Sequence, residues 1–327
     1  MANPFNSMDY TNIKGYHSDV LEQFIKQWND ASDIITAHTS GSTGTPKQIQ
    51  LLKSDLVSSA KATCRFFNIG EGSCLVNPLS IDYIAGKMMV VRALISGAIL
   101  WNELPSSSPL NDWSKDCYID LLPVVPAQIP ALLASNKLHL VKNLIIGGAK
   151  LPAEFESKLK QLNINAYCTY GMTETCSHVA LRKIGEKYYQ ALPGFEFSVD
   201  VRCCLIIRSK NMSFHEITTN DIVELKNSKS FVWLGRYDNV INSGGIKLFP
   251  EQIEEKIEGI LEKRNFYISS RESLRWGNEI ILVIEGNEEI CGLKEKLSER
   301  LSRYEIPKDI IYRETLEKTA SGKIKRI

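Results

Sequence analysis

The sequence predicts an α/β protein with two parts: a large layered α/β N-terminal domain with a mainly parallel sheet, then a small α+β C-terminal domain. Three observations carry this. From about residue 54 to 210, short β-type runs alternate with helical ones, the order that builds a sheet covered by helices. After Trp233 the order changes to helix, two strands and helix. Hydrophobic residues make up 43% of the chain and charged residues 24%, enough for packed cores and without a compositional sign of disorder. At roughly 150 residues per domain, 327 residues fit two domains.

In chain order, Ser54 reads as the cap of a helix with Leu56, Val57, Ala60 and Cys64 on one side. Strand-like runs follow at Cys74–Asn77, Ala98–Trp101, Tyr118–Leu122, Leu144–Ile146 and Ala166–Thr169. Asn102–Asp112, with three serines and two prolines, reads as a surface loop. Pro152 stands at a first-turn position and opens a helix over Pro152–Leu162. Past the connection Gly235–Asn239, Pro250 starts a helix whose Ile253, Ile257, Ile260 and Leu261 form one apolar stripe. Strand-like Phe266–Ser269 and Glu279–Glu285 come next, then a helix with Leu293, Leu297 and Leu301 spaced by four.

Several functions are disfavoured. Lysine plus arginine against aspartate plus glutamate is 39 − 38 = +1, which argues against holding nucleic acid or an anionic membrane by bulk charge. No stretch reaches the roughly 18 apolar residues that a bilayer span needs, and Met1–Tyr10 lacks a secretory pattern. The eight cysteines, at 64, 74, 117, 168, 176, 203, 204 and 291, form no Cys-x-x-Cys. The pair Cys203-Cys204 has no second pair to complete a zinc site. Most sit among apolar neighbours and read as small buried thiols of a reducing compartment, which implies a cytoplasmic protein.

Five segments carry candidate chemistry. The sharpest is His38-Thr-Ser-Gly-Ser-Thr-Gly-Thr-Pro-Lys47. Gly41 and Gly44 let the backbone approach a bound group, the hydroxyls of Thr39, Ser40, Ser42, Thr43 and Thr45 add donors, and Lys47 adds a positive charge. It is not a Walker loop, because Pro46 precedes the lysine; the plain alternative is a flexible Ser/Gly linker. The second is Thr169-Tyr-Gly-Met-Thr-Glu-Thr-Cys-Ser-His178 at the carboxyl end of a strand, where α/β sheets place ligands. Tyr170 offers a stacking face, Thr173 a hydroxyl and Glu174 a hard oxygen suited to magnesium; an ordinary polar βα turn is the alternative. Ile146-Gly-Gly-Ala-Lys-Leu-Pro152 is a glycine-opened strand-to-helix turn. Gly235-Arg-Tyr-Asp-Asn-Val-Ile-Asn-Ser-Gly-Gly-Ile-Lys247 follows Thr219-Asn-Asp221, and Lys318-Thr-Ala-Ser-Gly-Lys-Ile324 stands near the end.

The order and spacing of these segments resemble the adenylate-forming family of acyl-CoA synthetases, peptide-synthetase adenylation domains and luciferases, from about residue 36 to the end. The resemblance implies residue roles. Thr39–Gly44 and Lys47 resemble the loop holding the β/γ phosphates of ATP. Tyr170 and Gly171 match the adenine-stacking segment, with Gly147, Gly148 and Ala149 on the ring's other side. Thr173 matches a phosphate-binding threonine and Glu174 the Mg2+ ligand. Asp221 and Arg236 match the groups that reach the ribose. Asp238 falls on the hinge (236–240) between the domain of residues 1–235 and a mobile lid of residues 241–327. Lys323 matches the lysine that bridges carboxylate and phosphate during adenylation.

Two departures from the family pattern stand out. The phosphate loop begins at residue 38, which implies a shortened large domain. Within Pro78-Leu-Ser-Ile-Asp-Tyr-Ile-Ala-Gly86, Tyr83 takes the place of an aromatic or histidine gate. Met172–Ser177, Gly147–Lys150 and Gln190-Ala-Leu-Pro-Gly194 resemble the bacterial o-succinylbenzoate–CoA ligases of menaquinone synthesis. That implies ATP, Mg2+ and coenzyme A as cofactor and co-substrates, with Ser177 and His178 lining the acid pocket. The implied partners are small molecules, with homo-oligomer formation left open. A ligase for another acid, a module loading a carrier protein, and a non-catalytic binding protein are the competing readings.

Overall fold

The computed structural model describes residues 10–38, 48–115, 117–162, 164–261, 264–318 and 324–326. Its largest sheet has nine strands, in spatial order Phe195–Val199, Cys204–Ser209, Glu216–Asn227, Ser230–Arg236, Tyr189–Ala191, His178–Lys183, Asn165–Gly171, Asn143–Ile146 and Leu122–Val124. The α/β class holds, but this sheet is not mainly parallel. Only its last three strands pair in parallel; the others are antiparallel. The reason lies after Gly171. The chain makes one 3-10 turn, Thr173–Thr175, and returns directly as His178–Lys183. Antiparallel strands need only such a short link, whereas a parallel partner needs a crossover. A second sheet is wholly parallel and aligns Ile13–Gly15, Ile99–Asn102 and Cys74–Asn77.

Side chains alternate across the strands. Leu144 and Ile146 enter one core while Ile145 enters the other. The core that takes Ile145 also receives the helices Asp19–Asn29, Lys53–Phe67 and Ile84–Ser96, and Leu21, Trp28 and Leu56 are fully buried in it. The second helix starts at Lys53, with Ser54 inside it rather than capping it. Its entry is held instead by Lys53, whose N–H donates to the Asp33 carbonyl at 2.8 Å and whose buried ammonium reaches the Asp30 carbonyl and Oδ1, both at 3.0 Å. Pro152 likewise stands just outside its helix, Ala153–Gln161. The run Tyr118–Leu122 becomes a strand only from Leu122, because the Asp120 carboxylate takes the Cys74 N–H at 2.7 Å and breaks the ladder.

Beyond Ile241 the chain builds a separate sheet from Ile241–Ser243, Ile246–Leu248, Phe266–Ser273, Gly277–Glu285 and Asp309–Arg313. The helices Pro250–Ile257 and Leu293–Arg300 cover it, and Ile253, Ile257, Leu293, Leu297 and Leu301 share a core with its strands. Cys64, Cys168, Cys176 and Cys204 are buried as expected, whereas Cys203 and Cys291 are exposed. Cys203 occupies a tight turn with φ of 64°, and strand alternation then turns Cys204 inward. Among the described residues, no helix is long and apolar enough to cross a membrane.

Candidate active site

Two polar clusters meet at the end of the Asn165–Gly171 strand. In the first, the Tyr170 hydroxyl donates to Asp221 Oδ2 at 2.8 Å and the Trp233 indole N–H donates to Oδ1 at 3.2 Å. Asp221 pairs across the ladder with Arg236, whose guanidinium lies 3.5 Å from Asp221 Oδ1 and 3.5 Å from Asp238 Oδ2. Asp221 is only 6% exposed, so three donors hold its charge. Burial, and then the adjacent carboxylate, push the Tyr170 phenol well above its usual range and keep it a donor. Its ring packs edge-on against Phe231, centroids 5.1 Å apart. Alongside, a Cβ at Gly147 would lie 2.5 Å from Thr169 Oγ1, which leaves a ledge of bare backbone next to the Tyr170 strand.

The turn itself is set by the buried Thr175 hydroxyl, which bonds the backbone of Met172 at 3.0 Å and of Ser177 at 2.8 Å. Glu174 is thereby left outward and exposed, with Thr173 half-exposed beside it. One exposed carboxylate next to a hydroxyl suits magnesium, which keeps waters and binds through one or two carboxylates plus substrate phosphates. Among the described residues, no group of three or more His, Cys, Asp or Glu could cage a metal without them.

The second cluster centres on Arg92, in the mostly apolar helix Ile84–Ser96, whose one other charged residue is Lys87. Arg92 is 2% exposed. Its Nη2 donates to Ser177 Oγ at 2.7 Å, its Nη1 lies 3.4 Å from Met89 Sδ, and its Nε has no partner. No carboxylate among the described residues pairs with it. Burial lowers its pKa to about 10, so the guanidinium is charged at neutral pH. His178 bonds Ser177 Oγ through Nδ1 at 3.3 Å and Thr63 Oγ1 through Nε2 at 3.2 Å. Burial, reinforced by Arg92, holds this imidazole well below its usual pKa, and it is neutral. Gly171 joins the clusters: a Cβ there would sit 2.3 Å from the Ser177 carbonyl oxygen.

The expected residues thus fall into three groups. Tyr170, Asp221, Arg236 and Asp238 form one connected set, with Gly147, Gly148 and Ala149 on the neighbouring strand end. Ser177 and His178 form another with Arg92. Thr39, Ser40, Gly41, Ser42, Thr43, Gly44, Lys47 and Lys323 lie outside the described residues. Tyr83, expected beside the acid, is 50% exposed at the start of the Arg92 helix. Nine residues separate it from Arg92, about 13 Å along the axis, so it does not belong to the Ser177 cluster. Arg92, Trp233 and Thr63 escaped the motif reading. An arginine within the apolar run of residues 88–95 was a usable signal, while nothing in the sequence marks Thr63.

Comparisons with known proteins bear on the family and the fold. The profile of the AMP-binding enzyme family matches residues 5–201. The match begins upstream of residue 36, where the motifs first suggested it, and takes in the buried helix Asp19–Asn29. The chain is 24% identical to the 2-succinylbenzoate–CoA ligase of Lactococcus lactis, over 91% of this chain and 70% of that enzyme. It is 25% identical to the Escherichia coli enzyme of the same name, over 82% of this chain, and spans only 62% of that relative's length. Among solved structures, an acyl-CoA synthetase (AMP-forming)/AMP-acid ligase II-like protein from Dyadobacter fermentans is 32% identical, with a TM-score of 0.62 over 94% of this chain and 90% of that one. The o-succinylbenzoate–CoA synthetase of Bacillus subtilis, solved with its acyl-adenylate intermediate, shares the fold at a TM-score of 0.77 and 21% identity, over 88% of this chain and 67% of that one. Because the profile match spans more than half of the residues and includes the Tyr170–Ser177 turn, the chain belongs to the AMP-binding enzyme family.

Proposed function

We propose that the protein is an ATP-dependent acid–CoA ligase that forms an acyl-adenylate and then a thioester, with o-succinylbenzoate as the acid. The observation that carries the choice of acid is the buried Arg92 guanidinium, which has no carboxylate partner among the described residues. A buried charge without a counter-charge is costly. An acid with two carboxylates, only one of which reacts, brings the missing anion with it. Ser177 Oγ, 2.7 Å from Arg92, marks where that anion enters. The similarity to the 2-succinylbenzoate–CoA ligases of Lactococcus lactis and Escherichia coli supports this reading.

In this reading Tyr170 and the Gly147–Ala149 ledge flank adenine, and Asp221 with Arg236 takes the ribose. Thr39–Gly44, Lys47 and Thr173 hold the phosphates. Bound at Glu174, magnesium supplies positive charge that offsets the phosphate oxygens. The reacting carboxylate is ionised at neutral pH and needs no general base to attack the α-phosphorus. Lys323 orients the two anions and stabilises the charge that builds as pyrophosphate leaves. The thiol of coenzyme A then attacks the acyl carbon and AMP departs, after residues 241–327 rotate about the 236–240 segment. The charge balance and the absence of a spanning helix among the described residues fit a cytoplasmic enzyme of small molecules.

The test is pyrophosphate release from ATP with a panel of acids, with and without coenzyme A. The expected result is release and thioester formation with o-succinylbenzoate well ahead of benzoate or a medium-chain fatty acid. Equal rates across the panel would overturn the choice of acid. Transfer to a carrier-protein thiol in preference to coenzyme A would overturn the choice of thiol.

A further inference from the structure

The last described residues are fastened in an unusual way. Ile324 bridges back to Lys318, and the Lys325 N–H donates to the Glu317 carbonyl at 2.8 Å, so residues 316–318 and 324–326 run side by side. The first stretch is anchored by Leu316, buried against Tyr267, Ile281 and Val283. The other is anchored by charge. Arg326 makes a two-pronged contact with Glu254, at 2.6 and 2.8 Å, and donates to the Ile268 carbonyl at 2.9 Å. A planar guanidinium held at three points fixes orientation as well as position.

Glu251, one turn earlier on the same helix, extends this anchor toward the junction between the two sheets. Its Oε1 accepts from Asn239 Nδ2 at 2.5 Å and lies 3.8 Å from Arg326 Nη2. Its Oε2 is buried without a partner, and a Cβ at Gly235 would lie 2.6 Å from it. One carboxylate therefore touches the junction segment at both ends and also faces the cation that holds the tail.

We infer that Arg326 is a positioning residue for adenylation: its clamp on Glu254 fastens the segment that follows Lys323 in the chain, and Glu251 ties the clamp to the junction at Gly235 and Asn239. This rests on the proposed role of Lys323, which directly precedes the bridged Ile324 in the chain. A lysine that orients two anions is sensitive to small displacements, and its anchor controls where it starts. Rotation about the junction would strain the Asn239–Glu251 contact, while Arg326 and Glu254 would move together.

The experiment compares Arg326→Lys and Glu251→Gln with the unaltered full chain in both half-reactions: single-turnover pyrophosphate release, and thioester formation from supplied acyl-adenylate. Amide exchange at Lys325 is followed in parallel. Arg326→Lys keeps the charge but loses the fork. It should slow adenylation by about a hundredfold, the scale of a misplaced reacting group, and leave thioester formation within about twofold. The Lys325 amide should exchange faster. Glu251→Gln keeps an oxygen for Asn239 and should shift the same balance by a smaller factor; it carries the test if the first variant folds poorly. Equal loss in both half-reactions, or none in either, would overturn the inference. A parallel Lys323→Ala variant separates the failures. If it slows both halves equally, the lysine's role falls, and the anchor is then judged on the Lys325 exchange alone.

Discussion

The Asp221 and Arg92 clusters are built from the same materials, buried charge and short hydrogen bonds, yet they are completed differently. Asp221 is satisfied from within the chain, by Tyr170, Trp233 and Arg236. Among the described residues, Arg92 has only a serine hydroxyl and a thioether. A carboxylate that already has its donors is a rigid platform. In the proposed function, the buried guanidinium takes its missing anion from the ligand. On that reading, the difference teaches that preorganisation on the nucleotide side and charge incompleteness on the acid side can coexist a few residues apart, separated by Gly171.

Loss of Lys323 would sharpen that comparison most, because this lysine is proposed to act on both reactants and to belong to neither cluster. We predict that Lys323→Ala slows pyrophosphate release by roughly 100–1,000-fold, while thioester formation from supplied acyl-adenylate is spared. Rapid-quench measurement of each half-reaction checks this. On the rigid side, Asp221→Asn keeps the shape but removes a buried charge that faces Arg236. It should weaken ATP by about 1.5–3 kcal/mol, the range for hydrogen bonds to charged groups, with KM for the acid little changed. An acid KM that rose as much as that for ATP would mean the clusters are not separate.

On the incomplete side, Ser177→Ala removes one hydroxyl from Arg92 and from His178. Its effect should be smaller, about 1 kcal/mol, or five- to tenfold in KM for the acid, with the ATP value unmoved. A further prediction concerns pH. His178 is held neutral, so the unfolded chain takes up a proton, near pH 6.5, before the folded chain does. Stability is therefore full above that value and declines as pH falls below it, with a slope of up to about 1.4 kcal/mol per pH unit. Thermal melting from pH 7 to 5 should show the decline, and His178→Asn should flatten it. A slope unaltered in that variant would place the titrating group elsewhere.

Much of the fold was legible because it rests on local pattern. The stripe Ile253–Ile257 and the leucines at 293, 297 and 301 did form the covering helices of the small sheet. The parallel order of the main sheet was misjudged because the chain's return after Gly171 depends on Thr175 and on close backbone approach, neither of which shows as periodicity. The strand Asp309–Arg313 was missed; none of its side chains is fully buried, and it is held by parallel pairing to a distant strand. In the candidate site, the Tyr170, Asp221 and Arg236 that the structure brings together were marked by motifs, since each sits in a distinctive run. The partners that complete the two clusters were not, because Trp233 reaches Asp221 by strand register and Thr63 reaches His178 by helix packing.

The central claim is that Arg92 takes the carboxylate of the acid that does not react. The most direct test compares kcat/KM for o-succinylbenzoate with that for the same acid carrying a neutral carboxamide at the non-reacting position, in the unaltered protein and in Arg92→Met. The unaltered protein should prefer the dicarboxylate by about 2–5 kcal/mol of transition-state binding. Arg92→Met should lose that preference while melting at an equal or higher temperature without ligand, since it replaces an unpaired buried charge by an apolar side chain. A preference that survived in Arg92→Met would contradict the account.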